Sequence, residues 1–144
     1  MRAIVQRVKQ ASVTVDGEVV SEIGPGLLVL AGVTHGDGPE QVEKLARRIL
    51  ALRVFPSEKA DMDAALGDQR EILCVSQFTL YGDTAKGNRP SWGAAAPGEI
   101  AKPLWEDLCQ ALGAKRGVFG AMMDVALVND GPVTLTLEEA PETN

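Results

Sequence analysis

Histidine is almost missing from this chain of 144 residues; His35 stands alone. A single imidazole excludes the multi-histidine zinc sites, and any Ser-His-Asp or Cys-His relay would have to run through that one residue. Cysteine is scarce too. Cys74 and Cys109 both sit in apolar surroundings, too few for a disulfide framework, and read as reduced thiols. No apolar run reaches the ~18 residues of a membrane span. The first seven residues, MRAIVQR, set charge inside the apolar stretch, where a signal peptide would keep a neutral core. Nucleotide motifs are absent as well. Gly82 and Gly87 have the spacing of a phosphate-binding loop, but Asn88 stands where the lysine must be. There is no G-x-G-x-x-G after a strand and no G-x-S-x-G elbow.

What is present is ordinary for a folded domain: 45% hydrophobic and 24% charged residues. At roughly 150 residues per domain the expectation is a single domain over 1–144, cytoplasmic, with no membrane association. Charge is uneven. Residues 1–60 carry 8 Lys and Arg against 7 Asp and Glu, and residues 61–144 carry 6 against 13, which gives the net −6. Such a balance opposes nonspecific binding to nucleic acid, DNA included, but leaves room for a local basic patch.

The first third reads as β structure. Ala11 to Val15 and Glu18 to Ile23 flank Asp16-Gly17, a two-residue hairpin signal. Gly24-Pro25-Gly26 reads as a second turn, and residues 27–33 as a strand buried on both faces. Pro39 opens a helix to about residue 51, with Val42, Leu45, Ala46, Ile49 and Leu50 on one face. Leu52 to Phe55 is a short strand candidate, 56–70 a loop, Glu71 to Leu80 a strand, and 81–96 a long loop. A second helix runs from about Pro97 to Leu112, with Ile100, Leu104, Leu108 and Leu112 as its stripe and Gly113 as its stop. Pro103 should kink it or mark its true start. Residues 117–128 and 132–138 read as two closing strands around a turn at Asn129-Asp130-Gly131. The fold class expected is α+β, a largely antiparallel, barrel-like sheet with two covering helices.

Few residues offer chemistry. His35 beside Gly36 reads first as a turn residue, and Asp61 with Asp63 as solvated loop acids, since the other oxygen ligands of a metal loop are missing. Two segments are richer. Ser76-Gln77-Phe78-Thr79 ends a buried strand and enters a loop, where sites tend to sit, although strand-end hydroxyls can equally serve local backbone groups. Asn129-Asp130-Gly131-Pro132-Val133-Thr134 is hairpin chemistry. It is also a place for a cis Gly-Pro bond, which would set two neighbouring carbonyls in the same general direction as a rigid gauge for a small substrate.

The stretches SQFTLYGDTAKGNRPSW and LVNDGPVTL, in this order and at this chain length, resemble the D-aminoacyl-tRNA deacylases, editing enzymes that free tRNA from D-amino acids. The likeness runs along the whole chain, with small departures at Met122 and Arg116-Gly117. It implies a barrel-like homodimer whose active site lies at the interface, where Gly131-Pro132, cis in the family, enters the partner's pocket. It further implies that Ser76, Gln77, Phe78 and Thr79 form the catalytic motif. Gly131, Pro132, Val133 and Thr134 form the motif that selects chirality, and Phe119 and Met123 form the pocket wall. No cofactor and no metal is expected. Lys86 and Arg89, in the loop after the first motif, are the candidates for meeting acceptor-end phosphates, with a merely solvated loop as the alternative.

The reaction implied is hydrolysis of the ester between an amino acid and the terminal ribose, an activated bond that needs less help than an amide. Thr79 is the only motif hydroxyl of nucleophilic type, but no base stands near it in sequence. The preferred scheme is therefore a positioned ester and water, assisted by the ribose 2′-hydroxyl and a backbone N–H near Phe78-Thr79. A chiral wall of backbone carbonyls would exclude L side chains and admit glycine, so glycyl-tRNA is an expected second substrate. The rival classes are a noncatalytic RNA- or small-ligand-binding β-barrel module and a general small-ester hydrolase.

Overall fold

The computed structural model describes residues 1–142. Its organising element is β1 (Arg2–Val15), which pairs antiparallel with β2 (Glu18–Ile23) and β3 (Gly26–Gly32). Asp16 and Gly17 take φ of 51° and 81°, the left-handed pair that a two-residue hairpin turn requires. Gly24-Pro25 does not turn the chain. Ala11 faces Ile23 and Val8 faces Gly26, three residues further on in each strand, so β2 and β3 run on along one edge of β1. Proline has no N–H for the ladder, and its carbonyl instead accepts from Glu71 N–H. Gly26 is obligatory here, because a Cβ would run into the Glu71 carbonyl.

The sheet is mixed, with three antiparallel pairings and two parallel ones. β4 (Glu71–Ser76) lies parallel to β3, and the two-residue β5 (Lys115–Arg116) parallel to β4. Parallel neighbours need crossovers, and α1 (Pro39–Ala51) and α2 (Gly98–Leu112) supply them. The sheet curls until Lys115 Nζ of β5 donates to the Glu22 carbonyl of β2 at 3.0 Å, which nearly closes the barrel. Burial on both faces of β3 and β4 follows from this layering. Leu27, Val29, Ile72 and Cys74 face the helices, while Leu28, Leu73 and Val75 pack inside the curl with Val8 and Val13.

Both helices lie where the sequence places them, with rotated faces. Gln41 is buried in place of Leu50, its Oε1 accepting the Gly38 N–H at 2.8 Å and so capping α1. In α2, Ile100 is exposed, and Ala101 and Trp105 join the buried stripe of Leu104, Leu108 and Leu112. The helix starts at Gly98 and runs through Pro103, whose lost hydrogen bond falls on an exposed flank. Gly113 ends it at φ 62°. Leu52 to Phe55 forms no strand, only a bridge from Phe55 to Ala64. The strand expected over 71–80 stops at Ser76, and Phe78–Tyr81 winds into a 3-10 turn.

The largest departure is at the C-terminal end. Residues 117–123 are irregular, and β6 (Asp124–Glu138) is one strand that pairs along the free edge of β1 for its whole length. No hairpin forms at Asn129-Asp130-Gly131. From Thr134 to Asn129, β6 spans five residues while β1 spans the two from Gln6 to Val8, so the segment between bulges out of the sheet.

Candidate active site

The C-terminal end of β4 opens into a cavity of about 720 Å³. One wall is Ser76 and Gln77 with Phe78 and Thr79 of the 3-10 turn, and the opposite wall is Phe119 and Met123 from the 117–123 segment. Trp92 of the long loop and Trp105 of α2 complete the lining between them. The expected catalytic motif and the expected pocket wall thus meet in one space.

Local contacts fix the turn. Gln77 N–H donates to the Ala31 carbonyl at 2.7 Å, and Gly32 lets the turn lie on β3, since a Cβ there would come within 2.9 Å of the Gln77 carbonyl. Arg2 holds the far end, donating to the Leu80 carbonyl at 3.2 Å while its guanidinium covers the Tyr81 ring at 4.5 Å. Burial, then the Asp37 carboxylate, push the Tyr81 phenol upward, so it stays protonated. On the other wall, the Phe119 ring meets Trp105 at 5.8 Å, and Met123 Sδ accepts the Val118 N–H at 3.4 Å.

None of the described residues lining the cavity carries an ionisable side chain. Gln77 Nε2 donates to Thr79 Oγ1 at 2.5 Å, and an amide cannot take the hydroxyl proton as a base would. Cys74 lies one layer beneath, where the neighbouring Cys109 thiol and burial push its thiol well up. Polarity in the cavity is therefore neutral: hydroxyls, an amide, and the backbone. As the opening residues of a helical turn, Phe78 and Thr79 have no intrahelical acceptor for their N–H groups.

Gly131, Pro132, Val133 and Thr134 are not part of this cavity. They form the bulge of β6, with Gly131, Pro132 and Thr134 exposed, Val133 buried, and the Gly131-Pro132 bond cis. Arg7, unassigned from sequence, anchors the bulge. Its side chain is 3% exposed, and Nε lies 3.1 Å from the Asp130 carboxylate and donates to the Asp130 carbonyl at 3.3 Å. Nη1 donates to the carbonyls of Val54 at 2.6 Å and Asp61 at 3.2 Å. The Asn129 amide, oriented by its hydrogen bonds, donates to the carbonyls of Arg7 and Val133, and Gln6 donates to Thr134 Oγ1 at 3.3 Å. A signal existed. Ala3, Val5 and Arg7 share the inward register of β1, and an arginine on a buried register needs partners.

The remaining candidates scatter. Lys86 and Arg89 are exposed in a small loop tied at its base by the Asp83–Ser91 bridge, outside the cavity lining. His35 is a turn residue bonded to the Gly93 carbonyl at 2.8 Å. Asp61 pairs with Arg7 and Asp63 with Arg53, so the two acids face different partners. Among the described residues no three His, Cys, Asp or Glu side chains gather as a metal site, and no helix is long and apolar enough to cross a membrane.

The profile of the D-Tyr-tRNA(Tyr) deacylase family matches residues 4–138. A D-aminoacyl-tRNA deacylase of Thermobifida fusca is 56% identical over 144 residues, covering 96% of this chain and 99% of that protein. One of Kineococcus radiotolerans is 54% identical with the same coverage. Among solved structures, one named c-Myc DNA Unwinding Element Binding Protein superposes with a TM-score of 0.91 at 44% identity, covering 97% of this chain and 99% of that one. A probable eukaryotic D-amino acid tRNA deacylase shares the fold, with a TM-score of 0.82 at 16% identity and coverage of 94% and 97%.

Proposed function

The chain belongs to the D-Tyr-tRNA(Tyr) deacylase family, and from that premise we propose how a hydrolase of D-aminoacyl-tRNA works with this set of side chains. The observation that carries the scheme is a ligand-sized cavity with no ionisable lining. With no base, acid or charged nucleophile there, hydrolysis rests on placement. The ester carbonyl sits against the free N–H groups of Phe78 and Thr79, which stabilise the developing oxyanion. Water adds to that carbonyl, the 3′-oxygen leaves with a proton, and the substrate's own 2′-hydroxyl, held beside both, assists the transfer. Thr79 and Gln77 orient the ester, and Thr79 is not the nucleophile.

Chirality belongs to the second motif. Gly131-Pro132 lies outside the lining of its own cavity, and β6, whose other edge pairs with no described strand, exposes Leu127, Val128 and Leu135. Both features support a homodimer in which each bulge enters the other subunit's cavity, as the family resemblance implies. The backbone there, with Val133 and Thr134 fixing its base, excludes an L side chain by contact and admits glycine. Lys86 and Arg89, exposed in the loop that leads to Trp92 of the cavity lining, are the side chains offered to acceptor-end phosphates, and the compartment is the cytoplasm, where the substrate is. No cofactor takes part, and DNA is not a partner, since a net charge of −6 opposes nonspecific duplex binding.

Release of free glycine from glycyl-tRNA, measured beside a D-aminoacyl-tRNA, tests the scheme. Both amino acids are expected free. Glycyl-tRNA left intact contradicts a purely steric wall. Retention of both esters without release would instead point to a noncatalytic binding module.

A further inference from the structure

We propose that Arg2, outside the cavity, is a positioning residue for the hydrolysis: it holds the back of the 3-10 turn whose front offers the Phe78 and Thr79 N–H groups. What the turn positions rests on the deacylase reading; the hold itself does not. A turn of four residues, Phe78–Tyr81, has too few internal bonds to keep its own place. Leu80 N–H donates to the Gln77 carbonyl at 3.2 Å, and Gly82 N–H to the Thr79 carbonyl at 3.0 Å. Toward the cavity the turn meets Trp92 edge-on through Phe78, which stays 56% exposed. Firm placement therefore has to come from behind.

Behind the turn, the Gln77 N–H bond to the Ala31 carbonyl fixes the entry, and Arg2 fixes the exit. A helical turn leaves its last carbonyls without internal donors, and Arg2 Nη1 serves that of Leu80 at 3.2 Å. The guanidinium also lies 4.5 Å from the centre of the Tyr81 ring, which is buried. The Tyr81 hydroxyl meets no hydrogen-bond partner among the described residues, so packing and the cation hold the ring. Glu138, at the end of β6, accepts from Arg2 Nε at 3.0 Å and restrains the guanidinium from swinging into solvent. A lone exposed ion pair contributes little, but a planar group fixed in three directions sets a position. Arg2 lines a separate hollow of about 280 Å³ with Leu80 and Glu138, and no part of the cavity, so it acts on the reaction only through the turn. A turn released from Arg2 still admits substrate, but its N–H groups meet the developing oxyanion less well. That loss falls on kcat and spares KM.

Steady-state hydrolysis of D-tyrosyl-tRNA by Arg2→Met, which keeps an apolar stem and loses the donors, tests this. kcat should fall about tenfold, with KM within about twofold of wild type. D-tyrosyl-tRNA whose ester oxygen is replaced by NH serves as an uncleaved analogue. It develops no oxyanion, and should bind both proteins equally. Arg2→Lys, still able to donate to the Leu80 carbonyl, should keep at least about a third of the wild-type kcat. Hydrogen exchange reads the turn directly: the Leu80 and Gly82 amides should exchange at least about tenfold faster in Arg2→Met, with the Val29 amide of β3 unchanged. An unchanged kcat, a loss carried by KM or by weaker binding of the analogue, or Arg2→Lys as slow as Arg2→Met overturns the proposal. So does a Val29 amide accelerated equally, which would mean global unfolding. If the wild type cleaves no ester, the deacylase reading fails, and exchange decides the hold alone: Leu80 and Gly82 amides that keep the wild-type rate refute it.

Discussion

Thr79 accepts a hydrogen bond from the Gln77 amide and faces a cavity without a base. Thr79→Ala therefore removes one orienting contact and should slow single-turnover deacylation by about tenfold, the worth of one hydrogen bond in the transition state. A dead variant, with acyl-threonine accumulating in the wild type, would make Thr79 the nucleophile. The same neutral lining predicts that exhaustive chelation leaves the rate unchanged; activity restored by zinc or magnesium after chelation would contradict the scheme. Arg7 differs in kind, because its guanidinium satisfies three carbonyls and two carboxylates at once. Arg7→Met should cost about 2 kcal/mol in a urea titration, since it leaves carbonyls beneath the bulge unpaired. It should also lower deacylation at concentrations where the protein remains folded.

Turns and bulges are the elements that sequence separates worst. Asp16-Gly17 was legible as a hairpin because both residues must adopt positive φ, a local demand. Gly24-Pro25-Gly26 and Asn129-Asp130-Gly131 carry the same kind of composition, yet neither reverses the chain. Glycine, proline and asparagine relieve ladder hydrogen bonding in a bulge and in a turn alike, and the register with β1, a distant partner, decides between them. The parallel pairing of β3 with β4 escaped for a related reason: apolar runs separated by a helix hinted at it, but strand direction is nonlocal. Two glycines test the observed elements. Gly26→Ala should destabilise by about 3 kcal/mol, because the obstruction is the backbone of β4 and cannot swing aside. Gly131→Ala has room in its own chain, with the Asn129 side-chain amide 3.7 Å away, so its stability in urea should stay within about 0.5 kcal/mol of wild type. Its deacylation rate should nevertheless fall at least about tenfold if the bulge fills a partner's cavity. An unchanged rate would remove the bulge from the site.

At the scale of the whole molecule, the residues that the family resemblance offers as first motif and pocket wall converge within one chain, at the end of β4 and beside α2. The residues of the second motif lie outside that cavity, in the bulge of β6. The exposed apolar residues along the unpaired edge of β6 are what a dimer would cover, and Leu135→Glu should leave a folded monomer in sedimentation velocity that no longer releases amino acid. A dimeric Leu135→Glu with full activity would place the interface elsewhere. The most direct measurement is release of tyrosine from D-tyrosyl-tRNA and L-tyrosyl-tRNA, run in parallel on the same wild-type preparation. The scheme predicts rapid release of D-tyrosine with the L-ester left at its spontaneous rate; equal release of both hands, or release of neither, would contradict it.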